Sequence, residues 1–255
     1  MIQNFKSLTK LKHALSQMGY FIGNPAKNGE FYLIKKIIKH FNIFVDVGFH
    51  KGEISKFVRN YQRNIIIYGF DYNLNFKKKK LSYFKKRKIN FLNIGLYNKA
   101  KTINTFNYKY RPELSSLKPR KDYNPYMLKK EKITKKKVIP LDFFFKKKKL
   151  NKKNKIFIKI DTDGSEKKIL LGMKKILDNF DVSGYFEYGS GWKNCHSYLK
   201  DVFYYLKKKN YQIYRITNKG LILMRYFSEL DENYFQSHYF FSKKILLNLN
   251  LKQTI

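Results

Sequence analysis

Cysteine is almost absent from this chain: among 255 residues only Cys195 is present, so no intramolecular disulfide can form. Such scarcity is typical of proteins from a reducing compartment. No apolar run approaches the ~18 residues that span a bilayer, and the N-terminus lacks the continuous apolar stretch of a secretory signal. We therefore expect a cytoplasmic protein without a transmembrane segment.

Acidic residues are also few, at 18 against 55 basic residues, which gives a formal net charge of +37. The lysines are spread along the chain between apolar segments, whereas dedicated nucleic-acid binders concentrate their charge on one face. The abundance of Lys, Asn, Ile, Phe and Tyr is the pattern that AT-rich codons produce. We interpret the charge mainly as compositional, with a functional basic surface as the alternative. Either surface would attract RNA or anionic lipid weakly and in a salt-dependent way.

Signals for metal binding and for thiol catalysis are missing. The five histidines are scattered, and no Cys/His spacing predicts a structural metal site. Cys195 and His196 are adjacent in sequence, which is poor geometry for a thiolate–imidazole pair. His50 is interpreted as a loop or packing histidine, with a general base as the alternative. The many Phe and Tyr residues lie mainly in apolar runs and are expected to pack in the core.

No stretch rich in Pro, Gly or Ser marks a domain boundary, and the 43% hydrophobic content suffices for one domain with a substantial core. Helical spacing of apolar residues predicts a mainly helical N-terminal extension at 1–40. The domain itself is predicted at 41–241, with an insertion at about 101–155 that carries two short strands, at 102–108 and 138–141. A C-terminal tail follows at 242–255.

Short apolar runs alternate with helix-like segments from residue 43 onward. Runs that are apolar on both faces are what a parallel sheet covered by helices requires. The alternation predicts an α/β fold with a doubly wound, mostly parallel sheet flanked by helices. The predicted strands lie at 43–47, 65–70, 89–94, 156–160, 182–188 and 211–216.

Four of the few acidic residues mark the ends of four predicted strands, namely Asp46, Asp71, Asp161 and Glu187. In open α/β sheets, ligands bind outside the carboxyl ends of the strands, at the point where the strand order reverses. We therefore expect these acids to surround one cleft. Asp161 is the predicted general base, or the residue that orients an acceptor, and Glu187 is the second candidate catalytic residue.

The loop after the first strand favours a nucleoside ligand without a pyrophosphate. Gly48 and Gly52 would let the backbone pass close to a ligand. Asp71 follows Gly48 by 23 residues, which matches the acid that binds ribose hydroxyls in nucleotide-binding folds. Neither G-x-G-x-x-G nor G-x-x-x-x-G-K-[ST] occurs. Asp46 would repel a pyrophosphate but would suit the cationic S-adenosylmethionine, so its replacement by Ala is expected to abolish cofactor binding.

Five motifs in order resemble those of the FkbM-type methyltransferases, over about residues 41–190 and more loosely to 241. The similar segments are FVDVGFHKGEIS, IYGFDYNLN, INFLNIGLYNKAKTINTF, VIPLD with the preceding SSL, and FIKIDTDGSEKKILLGMKKIL. The resemblance implies a Rossmann-like class I methyltransferase fold and S-adenosylmethionine-dependent O-methylation of a hydroxyl on a sugar, glycan or small metabolite. It implies cofactor contacts at Asp46, Gly48, Phe49, His50, Gly52, Asp71, Tyr72, Asn73 and Leu96.

The chain departs from the family pattern at several of these positions. Phe49 and His50 replace the usual Ala-Asn, which could alter the methionine pocket, and Tyr72 replaces a common Pro. Asp71 and Asp163 replace glutamates, which keeps the charge but shortens the reach. Asp163 and Glu166 have the spacing of a helix capping box, and we interpret both as structural.

The acceptor is not identified by these residues. We expect its selection at 101–155 and in the C-terminal part, including 225–234. The rival interpretation is an RNA methyltransferase, or a basic nucleic-acid-binding module without catalysis. No Asn-Pro-Pro-Tyr-like motif for amino-group methylation and no catalytic-cysteine motif for ring carbons is present.

Overall fold

The computed structural model describes residues 2–73, 76, 78–111, 114–121, 123–124, 126, 128, 131–148, 150–244 and 251–252. The strands are β1 Ile43–Val47, β2 Ile66–Phe70, β3 Ile89–Leu92, β4 Gly95–Leu96, β5 Lys101–Tyr108, β6 Glu131–Ile139, β7 Lys155–Ile160, β8 Asp181–Tyr188, β9 Gln212–Thr217, β10 Gly220–Met224, β11 Ser237–Ser242 and β12 Leu251–Lys252. The α-helices are α1 Ile2–Gln17, α2 Glu30–Ile37, α3 Glu53–Tyr61, α4 Lys78–Lys86, α5 Leu141–Lys148, α6 Glu166–Leu171, α7 Lys174–Asn179, α8 Ser190–Asn194 and α9 Leu199–Lys207. Short 3-10 helices lie at Ile38–His40 and Glu229–Asp231.

The main sheet has nine strands in the order β12-β10-β9-β11-β8-β7-β1-β2-β3. The run from β3 through β8 is parallel, and β11 is antiparallel to both β8 and β9. In chain order, β1, β2 and β3 follow one another toward one edge of the sheet, whereas β7 lies on the other side of β1 and is followed by β8 toward the opposite edge. The strand order therefore reverses between β1 and β7, which is where such sheets hold their ligands.

Burial explains why these segments form central strands. Every residue of β1 is buried, and so is every residue of β7 after Lys155. One face of the sheet packs against α5, α6, α7 and α9, and the other face packs against α2, α3 and α4. The predicted α/β fold with a mostly parallel sheet is confirmed, and no described helix is long and apolar enough to cross a membrane.

Two predicted boundaries differ from the structure. Leu33, Ile34 and Ile37 of α2 are buried in the same core cluster as strands β1 and β2, so this helix packs as part of the domain that was predicted to begin at residue 41. At the other end, the predicted tail at 242–255 includes β12, which pairs with β10. Positions 245–250 and 253–255 of that tail lie outside the described residues.

The predicted insertion is shorter than expected. β5 and β6 pair antiparallel and form a separate sheet with β4, which covers the carboxyl ends of the main strands. The helix α5, however, buries Leu141, Phe144 and Phe145 in the main core. It is therefore the crossover helix before β7 and not part of an insertion.

Candidate active site at the strand ends

The loop after β1 passes against the ends of both neighbouring strands. The N–H groups of Gly48 and Phe49 donate to the carbonyl oxygen of Phe70, at 3.0 and 3.1 Å. Gly48 has a φ of +77°, and a Cβ there would lie 1.7 Å from the carbonyl oxygen of Asp161. Only glycine fits this position, because both the backbone conformation and the close approach exclude a side chain.

A cavity of about 660 Å³ opens beside this loop, at the carboxyl ends of β1, β2 and β7. Its volume lies within the range of small-molecule sites. Eight of the predicted site residues line it, namely Gly48, His50, Asp71, Tyr72, Asn73, Leu96, Asp161 and Glu187. The small sheet and the segment that connects β5 to β6 also line the cavity, with Ile103, Arg111, Leu114, Ser115, Leu117, Tyr123 and Val138.

Asp71 lies at the end of β2 with its carboxylate on the cavity wall. One carboxylate oxygen accepts the N–H of His50 and the other accepts the N–H of Asn73, both at 2.9 Å. An ionised carboxylate has about four acceptor positions. The carboxylate is therefore held in place and can still accept hydrogen bonds from a ligand in the cavity.

Asp46 contacts a lysine that the sequence reasoning did not single out. Lys159 Nζ lies 3.3 Å from Asp46 Oδ1, 3.4 Å from Asp161 Oδ2 and 2.8 Å from the carbonyl oxygen of Gly48. Ser55 donates to the other oxygen of Asp46 at 2.7 Å. Within the chain, Lys159 is thus the counter-charge of Asp46. The expected loss of binding on replacing Asp46 by Ala would reflect damage to the fold, so that experiment does not test the cofactor.

Burial and charge oppose each other in this group. Burial alone would lower the pKa of Lys159, but Asp161 and Asp46 raise it above its usual value, so the ammonium stays charged. Burial raises the pKa of Asp46, against the opposing effects of Lys159 and Ser55. A charged residue within an otherwise apolar strand needs a charged partner, so the Lys within the FIKI run signals that a partner exists without indicating which residue it is.

Asp161 and Glu187 form a carboxyl–carboxylate pair. Burial would raise the pKa of Asp161, but Lys159 and a hydrogen bond from Glu187 lower it overall. Burial, followed by the charge of Asp161, raises the pKa of Glu187 well above its usual value. The pair therefore carries one negative charge, on Asp161, and Gln236 Nε2 donates to Glu187 at 2.7 Å. The structure brings together the two predicted catalytic residues.

Phe49 and Gly52 differ from the other predicted cofactor contacts. The Phe49 ring is buried among the rings of Phe76, Phe84 and Phe91, on the core side of the loop. A Cβ on Gly52 would lie 2.5 Å from that ring. Neither residue lines the main cavity, so Gly52 makes room for Phe49, and Phe49 anchors the loop by packing.

The predicted capping box is wrong. The N-cap of α6 is Ser165, which makes no side-chain capping hydrogen bond. Asp163 instead pairs with the buried Arg120 at 2.7 Å. Glu166 turns back and accepts the N–H groups of Thr162 and Gly164, at 2.6 and 2.8 Å, which fixes the loop next to Asp161.

Sequence reasoning also missed Arg120, Glu30 and His238. Arg120 fixes the segment between β5 and β6 to the Asp163 loop. His238 Nε2 lies 3.4 Å from Glu30 Oε1 and 4.0 Å from Glu187 Oε1. No local pattern marks these residues, since their partners come from distant elements. Among the described residues, no group of three or more His, Cys, Asp or Glu side chains could hold a metal ion.

These features define a class of protein: Rossmann-like α/β proteins that bind a ligand at the carboxyl ends of the strands, where the strand order reverses. In this chain the cavity at that point is lined by acidic residues. A comparison with protein families matches residues 46–213 to the methyltransferase FkbM domain. The match spans well over half of the chain, which therefore belongs to the FkbM methyltransferase domain family. No curated protein matches the chain.

Solved methyltransferase structures are similar at low identity. The FkbM methyltransferase of Methylobacillus flagellatus KT is 13% identical with a TM-score of 0.46, over 79% of this chain and 43% of that protein. This chain therefore spans less than half of that relative's length. An rRNA methylase of Streptococcus thermophilus is 12% identical with a TM-score of 0.40, over 88% and 99% of the two chains. The precorrin-6y C5,15-methyltransferase of Geobacter metallireducens GS-15 is 8% identical with a TM-score of 0.40, over 90% and 95%.

Proposed function

We propose that this protein is an S-adenosylmethionine-dependent methyltransferase that acts on a hydroxyl group of a sugar, a glycan or a small metabolite. The observation that carries the proposal is the fixed carboxylate of Asp71 at the end of β2, which faces a cavity of about 660 Å³. Membership of the FkbM family supports the same activity.

The residues present fit this cofactor. Asp71 can accept hydrogen bonds from ribose hydroxyls, and the loop at Gly48 allows the ligand to approach the backbone. Tyr72 and the buried Leu96 line the same cavity and would offer an apolar surface to the adenine base. When bound, S-adenosylmethionine would supply an activated methyl group on a positively charged sulfur.

The acidic pair Asp161–Glu187 would handle the acceptor. Asp161 is ionised, lines the cavity and is held by Lys159 at 3.4 Å, so it can accept a hydrogen bond from the attacking hydroxyl. When the acceptor oxygen takes the methyl group and the neutral thioether leaves, Asp161 would accept the hydroxyl proton. Alignment of the acceptor by this contact is the main contribution that the protein makes to the rate.

A second candidate function is RNA methylation. The net charge of +37 and the position of Lys51, Lys80 and Arg111 on the cavity wall favour it, because a phosphate-bearing acceptor would need such partners. Under either function we propose a cytoplasmic protein whose basic surface binds anionic membranes weakly and in a salt-dependent way.

Transfer of a radiolabelled methyl group from S-adenosylmethionine tests the proposal. The assay would offer a panel of sugars, nucleotide sugars and oligosaccharides beside total RNA, with wild-type protein and the Asp161→Asn variant. We expect label in a hydroxyl-bearing small acceptor and a fall of at least about 100-fold in the variant. Label in RNA alone would favour the second function, and transfer that is unchanged in the variant would contradict the role of Asp161.

A further inference from the structure

The two faces of the main sheet differ in how their positive charges are balanced. On the face covered by α5, α6, α7 and α9, lysines pair with carboxylates, in the pairs Lys167–Asp201, Lys200–Glu229 and Lys209–Asp178. On the other face, the acidic residues of α2, α3 and α4 are the buried Glu30 and the exposed Glu53. The sequence has no acidic residue between Asp71 and Glu113. A codon bias accounts for the number of lysines, but it does not account for this difference between the faces.

Helix α4 presents its lysines to solvent. Its buried side chain is Phe84, so the side opposite Phe84 points away from the sheet. Lys78, Lys79, Lys85 and Lys86 are exposed, and we call the surface that they form the α4 face. Among the described residues, none of these lysines has a carboxylate partner. A cluster of about four to eight Lys or Arg residues on one helix is typical of surfaces that bind anionic lipid headgroups.

The α4 face continues to the rim of the main cavity. Lys51 and Lys80 line that cavity, and the Nζ of Lys56 lies 5.7 Å from the ring centre of Tyr83 on α4. Burial lowers the pKa of Lys80, and the charges of Lys56 and Lys51 lower it further, while Glu53 opposes them. The ammonium groups therefore repel one another. An anionic surface that approaches this side of the molecule would reduce the repulsion.

Exposed apolar side chains lie beside the α4 face. Leu81 and Tyr83 are 43% and 38% exposed on α4. Helices that lie at a membrane interface combine Lys or Arg with apolar side chains in this way. Single-stranded nucleic acid, in contrast, binds largely by stacking its bases on aromatic rings. The ring of Tyr83 already contacts Lys56 and Arg87, whose Cζ lies 4.9 Å from the ring centre. The surface therefore matches an anionic lipid bilayer better than a nucleic acid.

We propose that the α4 face binds the surface of an anionic lipid bilayer and holds the rim of the main cavity, at Lys51 and Lys80, near the lipid headgroups. Binding through net charge alone would use any side of the molecule, whereas this proposal assigns it to one side. The binding does not depend on methyl transfer. Its consequence for catalysis rests on the proposed function, because hydroxyl acceptors carried by membrane lipids would then lie close to the cavity.

Sedimentation with lipid vesicles compares two sets of substitutions in the full chain. The first variant combines Lys78→Gln, Lys79→Gln and Lys86→Gln on the α4 face. The control combines Lys174→Gln, Lys175→Gln and Lys208→Gln, which replace exposed lysines on α7 and at the end of α9. Both variants lose the same charge, and none of these lysines lines the main cavity. The vesicles consist of phosphatidylcholine alone or of phosphatidylcholine mixed with phosphatidylserine.

We expect the first variant to bind the anionic vesicles at least about tenfold more weakly than wild type, and the control to stay within about twofold. Vesicles of phosphatidylcholine alone should bind none of the proteins. An equal loss in both variants, or a loss in neither, would overturn the proposal. A first variant that loses affinity for mixed-sequence RNA but keeps its affinity for vesicles would also overturn it and would identify a nucleic-acid surface.

Hydrogen exchange tests the position of the cavity rim. Amides at 49–52 should exchange more slowly in the vesicle-bound protein, and those of α7 should not change. Unchanged exchange at 49–52 would overturn the placement of the rim. Binding of S-adenosylhomocysteine, titrated separately, should be the same in both variants as in wild type. Its failure in wild type would contradict the proposed function and leave the vesicle result standing.

Discussion

At the scale of single residues, a buried ammonium group lies between two carboxylates at the strand ends. Lys159 has a side-chain exposure of 5% and contacts both Asp46 and Asp161. The acid at the end of β1 was predictable from sequence, but its partner was not. The pairing exists only because β1 and β7 are neighbours in the sheet, and strand order cannot be deduced from local pattern.

Replacement of Lys159 by Met should leave the buried carboxylate of Asp46 and the partly exposed carboxylate of Asp161 without their cation. We expect the free energy of unfolding to fall by about 3–5 kcal/mol, as measured by urea denaturation at neutral pH. Lys155→Met is the matched control, because Lys155 lies on the same strand and is exposed. A Lys159→Met protein as stable as this control would contradict the account of the pair.

Glu166 should make stability depend on pH. Burial raises the pKa of Glu166 to about 7 from 4.5, so the folded state holds a proton that the unfolded state releases. This contribution to the free energy of unfolding is fully present below the pKa that Glu166 has in the unfolded state. It is lost as the pH rises through the pKa that Glu166 has in the folded state, and the total loss is roughly 3 kcal/mol. Unfolding free energies between about pH 4 and pH 8 should therefore decline more steeply in wild type than in Glu166→Gln. Parallel profiles would count against the raised pKa.

At the scale of elements, the loop after β1 depends on one glycine. Ala at position 48 would combine a left-handed φ with a Cβ at 1.7 Å from a backbone oxygen. We expect Gly48→Ala to lower the free energy of unfolding by at least about 2 kcal/mol. The control is Gly189→Ala, where the backbone is extended and the nearest atom to a Cβ lies at 3.6 Å. Similar stabilities of the two variants would contradict the proposed close approach.

The sequence predicted the central strands well and the small sheet poorly. β1 and β7 are apolar on both faces, which is a strong signal for a buried parallel strand. β6, in contrast, includes the run TKKKV, in which three consecutive lysines interrupt the apolar pattern that would predict a strand. It forms a strand because its backbone pairs with β5 along eight residue pairs, and a charged exposed strand has little pattern of its own.

At the scale of the whole molecule, the net charge of +37 should produce RNA binding that is not specific. We expect the affinity for a labelled single-stranded RNA of mixed sequence to fall steeply with salt and to be unaffected by S-adenosylhomocysteine. Fluorescence anisotropy across a salt series would measure both effects. RNA binding that persists at high salt and changes with S-adenosylhomocysteine would indicate that RNA is the acceptor.

The central claim is that the cavity at the strand ends binds S-adenosylmethionine through Asp71. The most direct test is a calorimetric titration of the full chain with S-adenosylhomocysteine, beside an Asp71→Ala variant and a titration with NAD. The account predicts saturable binding that weakens at least about tenfold in the variant at an unchanged unfolding temperature, with no binding of NAD. Binding of NAD, or affinity for S-adenosylhomocysteine that is equal in both proteins, would contradict it.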